Sequence, residues 1–181
     1  MANEFQYRGQ LNGAENPVVL DVLVGNSDAV VVGRAVKLDT LSNGGGIIAA
    51  TAGSRILGIL VGLTDKNGID LDNTKQVHSG TWVASTQTFT AAADNMTVDG
   101  IRGKVVVDKD ALWYNDAAGD LVVADEYKFF DVANAYQVGD QNGHDSAGAL
   151  MLIKRDPDGD GDASKGIFKI AESNLDAYAQ V

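Results

Sequence analysis

The sequence predicts a mainly β protein: a compact antiparallel β-sandwich or barrel-like module of the β-tulip kind. Three observations carry that expectation. In residues 28–62, DAVVVGRAVKLDTLSNGGGIIAATAGSRILGILVG, short β-branched runs are separated by glycines at nearly every reversal. Glu, Lys and Arg are sparse beside Val, Gly, Asp and Ala, and a helical bundle would need longer stretches without glycine. With 181 residues, 45% of them hydrophobic, the chain has enough apolar material for one good core or two small ones.

Taken in order, residues 1–17 form an extended N-terminal arm, since Asn12-Gly13 and Asn16-Pro17 are turn signals flanking few core candidates. Phe5 and Tyr7 alternate in an extended pattern there, suited either to adding a strand to a neighbouring subunit or to folding back on the chain's own core. Residues 18–181 read as a single β-rich domain, with a subdivision near 75–100. Within it, 18–24, 30–32, 35–38 and 56–61 have strand length and composition, and Asn67-Gly68 suits a type I′ turn. Residues 76–97 are polar and rich in Thr and Ala, and read as strands and loop around Trp82, Val83 and Phe89. The stretch 100–123 repeats the logic of the earlier module without true periodicity. Trp113 and Tyr114 are adjacent there, so a strand points one into the core and leaves the other for a subunit contact. Residues 149–153 and 166–170 make a C-terminal β-hairpin with a long acidic tip, and 173–180 a short helix capped by Ser173.

Charge narrows the function. Fourteen basic against 25 acidic residues give a net charge of −11, with no basic stripe, which argues against nucleic acid as a partner. Most of the excess falls after Asp120, so that end should face solvent. The first residues lack a signal-peptide pattern and no apolar stretch has membrane-span length; the expectation is a soluble protein made in the cytoplasm, with no membrane partner. There is no cysteine, hence neither disulfide nor thiolate metal site.

One segment has a recognisable chemical spacing. Asp156, Asp158 and Asp160 occupy positions 1, 3 and 5 of a calcium-loop pattern, Gly161 takes the turn at 6, and Asp162 and Ser164 fall at 7 and 9. Position 12 is Ile167 rather than a bidentate Glu, and a strand follows, so a full EF-hand is excluded. A partial Ca²⁺ loop, closed by Glu172, and a solvated acidic turn both remain open; no other cofactor is called for. His78 and His144 lie in no metal or triad motif, the glycines at 44–46 lack the Lys of a phosphate loop, and Asp108 and Asp110 read as solvated turn acids. No acid, base and nucleophile set emerges, so the expectation is a protein without catalytic residues.

The order of DAVVVGRAVKLDT, GGGIIAATAGSRILGILVGL and GKVVVDKDALWY resembles the head decoration, or cement, proteins of tailed bacteriophages, in which a Gly-x-x-Val strand is followed by a turn, a small-residue strand and a Gly-Ile-x-x-Gly strand. The resemblance covers roughly residues 18–123; the acidic hairpin and final helix fall outside it. It implies a structural protein on the outer surface of the virion, binding the major capsid protein in many copies, often as a homotrimer. On that reading Phe5, Tyr7, Trp113 and Tyr114 are the candidate capsid or subunit contacts. Two other readings stand beside it: a calcium-binding surface or adhesion module of S-layer type, and a head-fibre or tail component.

Overall fold

The structure, a computed structural model, describes residues 4–39, 45–71, 80–135, 137–139 and 148–171. The expected helix at 173–180, Glu172, both histidines and Gly44 lie outside the described residues. Among the described residues no helix is long and apolar enough to cross a membrane.

The N-terminal half supplies β1 (Gln6–Gln10), β2 (Val19–Leu23), β3 (Ala29–Val31), β4 (Ala35–Leu38), β5 (Ile47–Ala49), β6 (Gly58–Thr64), β7 (Gly80–Val83) and β8 (Thr88–Ala91). There follow β9 (Arg102–Val106), β10 (Ala111–Asp116), β11 (Phe129–Phe130), β12 (Val132–Asn134), β13 (Gln137–Val138), β14 (Leu150–Arg155) and β15 (Lys165–Ile170). Every pairing between these strands is antiparallel. They form an outer sheet β1-β10-β15-β14-β11, a middle sheet β2-β9-β6-β4-β5, a three-stranded sheet β3-β8-β7 and the β12-β13 ribbon.

The mainly β expectation holds, and the arrangement is layered rather than closed into a barrel. The two large sheets end on β1 and β11, and on β2 and β5, which do not pair with one another. Side-chain alternation explains the layering. Ala35, Ile59 and Val106 share one face of the middle sheet and pack with Trp113, Leu152 and Phe168 of the outer sheet. Their neighbours Val36, Leu60 and Val105 face the other way and pack with Val30 and Phe89 of the small sheet. With both faces covered, β6 reads as a nearly unbroken apolar run, ILVGL, and not as a polar-apolar alternation. Each fully buried Phe, Leu or Ile contributes roughly 1.5–3 kcal/mol against exposure, before the entropy of ordering.

Several local expectations need correction. Gly58, within the expected strand 56–61, opens β6, and a Cβ there would run into the Val106 carbonyl, so glycine lets β6 and β9 approach. The Asn67-Gly68 turn is not type I′, because Asn67 keeps a negative φ and only Gly68 is left-handed, at +79°. Gly68 N–H donates to the Asp65 carbonyl (3.0 Å), while Asp65 Oδ1 accepts from the N–H groups of Asn67 and Ile69 (2.8 and 2.9 Å). That is a three-residue hairpin loop, its corner held by an aspartate. In β7, Trp82 packs inward and Val83 is exposed, as strand alternation requires of adjacent residues.

Residues 6–10 do not project as a free arm; they pair with β10 at the edge of the outer sheet. Residues 11–17 cross to β2 and are held by Asp108, which is buried rather than solvated. Its Oδ2 accepts from Gln10 Nε2 (3.0 Å) and Val18 N–H (3.2 Å), and its Oδ1 from Asp110 N–H (2.9 Å). Fully buried Asn95 staples the middle sheet in the same way. Its Nδ2 donates to the carbonyls of Val24 (2.7 Å) and Ile101 (3.2 Å), and its Oδ1 accepts from Ile101 N–H (2.8 Å). Buried polar groups persist in a core only with such partners.

Candidate functional site

The sequence-derived candidates fall into two groups, core and surface. Phe5 is 4% exposed and its N–H donates to the Gly33 carbonyl at 2.8 Å, so it folds back on the chain's own core. Trp113, 1% exposed, lies in the same cluster. Burial removes both from the set of contacts that this conformation offers a partner. Tyr7, opposite Trp113 across the β1–β10 pair, is 38% exposed and meets the indole edge-on, ring centres 5.6 Å apart. Tyr114, on the other face of β10, carries the Arg8 guanidinium 4.8 Å above its ring. Arg8 reaches it from an irregularity between Tyr7 and Gly9, where β1 shifts register on β10.

Tyr114 belongs to the uncovered face of the outer sheet. Strand alternation puts Leu112, Tyr114 and Asp116 of β10 beside Lys165, Ile167 and Lys169 of β15, all half-buried. Met151 of β14 stands opposite Lys169 and continues the row. Apolar and charged side chains therefore alternate across one sheet face that no other sheet of the described residues covers. Burial, the larger influence, raises the Tyr114 phenol above its ordinary value; Lys165 opposes the shift, and Asp116, Asp158 and Asp160 add to it.

Ion pairs from Lys165, on this face, to Asp160 and Asp162 hold the acidic tip, residues 156–164, beside it. Asp156 and Asp158 begin it, and its carboxylates largely serve their own loop. Asp156 Oδ2 accepts from Gly161 N–H (3.3 Å), Asp160 Oδ1 from Asp162 N–H (3.0 Å), and Asp162 Oδ1 from the N–H and Oγ of Ser164 (3.1 and 2.7 Å). Lys165 supplies the cation: its Nζ lies 2.6 Å from Asp160 Oδ2 and 3.3 Å from Asp162 Oδ2. Hydrogen bonds to Lys165 and Ser164 hold Asp160 and Asp162, respectively, below the ordinary carboxylate range, and Asp160 raises Lys165 above the ordinary ammonium value. Among the described residues no three acids or histidines converge as a metal site.

A neighbouring segment carried no signal that sequence patterns could expose. The Leu121 N–H donates to the Ala163 carbonyl at 2.7 Å, tying residues 121–128 to the acidic tip. Buried Asp125 accepts from Val122 N–H at 2.9 Å, and Tyr127, with φ at +68°, donates its N–H to the Leu152 carbonyl at 2.7 Å. This anchoring leaves Val123 and Tyr127 66% and 68% exposed. Only the structure brings the Tyr114 face and this apolar segment to the acidic tip.

The chain matches no family model, no curated protein sequence and no solved structure.

Proposed function

We propose that this protein is a non-enzymatic virion component that decorates the outside of a bacteriophage capsid, binding between major capsid protein subunits as a homotrimer. The observation that carries the reading is the uncovered face of the outer sheet, with Leu112, Tyr114, Ile167 and Met151 set among Lys165, Lys169 and Asp116. A face of mixed apolar and charged side chains suits reversible docking on another protein, and repetition over a lattice raises effective concentration enough for weak contacts to hold. The charge of −11 supports an outward position, away from packaged nucleic acid. The resemblance of residues 18–123 to cement proteins points the same way.

The test is co-sedimentation with empty expanded shells of the phage that encodes the chain. Saturable binding is expected, weakened at least about tenfold by Ile167→Asp, a loss of about 1.4 kcal/mol. Shells that leave the wild-type protein in the supernatant reject the reading.

A second reading, a calcium-binding surface module, is favoured by the 1, 3, 5 spacing of Asp156, Asp158 and Asp160 and by the buried Oδ1 of Asp156, which has no hydrogen-bond partner among the described residues. It requires Lys165→Met to bind Ca²⁺ more tightly than wild type and EDTA to lower the melting temperature. Melting unchanged by EDTA in both proteins counts against it.

A further inference from the structure

A groove of about 390 Å³ is lined by residues of the middle sheet and of the small sheet with its flanking turns. Trp82, Leu71 and Val32 contribute its apolar side, and Gln87, Asp70 and Lys104 its polar side. We propose that this groove binds a neutral saccharide of one or two rings, with the face of a pyranose stacked on Trp82.

Four observations lead there. Trp82 is only partly buried against the inner core, and its Nε1, itself buried, has no hydrogen-bond partner among the described residues, so apolar packing holds the indole. An indole face carries negative charge density that attracts the C–H groups lining one side of a sugar ring. Asp70 and Lys104 pair at 2.9 Å and cancel, so the rim has no net charge to hold a phosphate or carboxylate, while it offers donors and acceptors to hydroxyl groups. Gln87 adds an amide that does both, from a backbone held left-handed at φ +49°, a conformation uncommon for a residue other than glycine. Finally, β6 shifts register on β9 between Leu60 and Gly62, next to Val61 and Gly62 in the groove wall. Irregularities of this kind are over-represented beside binding sites. The volume lies near the small end of ligand pockets, about 300–1,000 Å³, which sets the limit at a mono- or disaccharide.

The chain has two tryptophans, and the second, Trp113, is fully buried, so ¹⁵N spectra contain an internal control. Intact ¹⁵N-labelled protein is titrated with methyl β-glucoside, cellobiose, maltose and N,N′-diacetylchitobiose. At least one should move the Trp82 indole resonance saturably and leave that of Trp113 in place. Saturation-transfer signals on the sugar should vanish in Trp82→Ala and weaken about tenfold or more in Gly62→Val. A Cβ at Gly62 meets only the Lys104 methylenes, at 3.6 Å and beyond, so this second variant fills the groove without breaking the fold. The proposal is overturned if none of the four sugars shifts Trp82 up to roughly 10 mM, if both indoles move together, or if signals persist undiminished in either variant.

Discussion

Asp108 shows how much one side chain can organise. Three donors from three parts of the chain converge on its two oxygens. Asp108→Ala leaves them without a partner in a buried place, at a cost of about 1–3 kcal/mol. The expected result is a lower urea midpoint together with faster amide exchange at Val18 and Asp110. Asp108→Asn, which keeps one acceptor, should fall between. At the acidic tip the direction of pH dependence is fixed. Asp160 and Asp162 titrate below their ordinary 3.8, so what they stabilise is present above that value and lost as pH falls through the depressed ones. Lys165 titrates above its ordinary 10.5, so its share is present below 10.5 and lost only in stronger alkali. The Asp160 carboxyl should show an NMR midpoint below 3.8 that climbs toward 3.8 in Lys165→Met; an unmoved midpoint removes the ammonium from the account. These residue roles were only partly legible in the sequence. The Asp spacing is plain in the sequence, but the pairing of Asp160 and Asp162 with Lys165 is not. Asp108 passed for a solvated turn acid because its partners Gln10 and Val18 lie 98 and 90 positions away.

At the scale of elements, β1 seals the core it borders. Phe5, just ahead of it, is buried with Trp113, so Phe5→Ala should cost about 3–5 kcal/mol. At roughly 2–4 °C per kcal/mol for a chain of this size, melting should drop by about 6–20 °C. An unchanged melting temperature would mean that the N-terminal segment is not docked in solution. Strands themselves are legible: 35–38 matches β4 to the residue, and the expected hairpin of 149–153 and 166–170 matches β14 and β15 to within one at the outer ends and two at the tip. Sheet membership was not. β3 and β4 follow one another closely yet join different sheets, as do β9 and β10. A run of Val and Ile specifies a strand, while which face and which partner it takes depends on side chains far along the chain. The partial echo between these two regions has that structural counterpart: each is a pair of strands that changes sheet at its corner.

For the whole molecule, the middle sheet packs on both faces, and the described residues present three exposed features: the outer sheet face, the acidic tip with its apolar bump, and the groove at Trp82. Light scattering should give a trimer, three times the 19.0 kDa chain, if the decoration reading is right. A monomer at every concentration would count against self-association and leave shell binding as the sole source of multivalency. The pairing pattern also sets a timetable for biosynthesis. Gln6 pairs with Tyr114 and Val19 with Val106, so the first two strands wait for partners on the order of a hundred residues downstream. At translation rates of about 5–20 residues per second that wait is about 5–20 s. During it the nascent chain shows the ribosome's surroundings two unpaired β-segments, a window in which chaperone capture competes with aggregation.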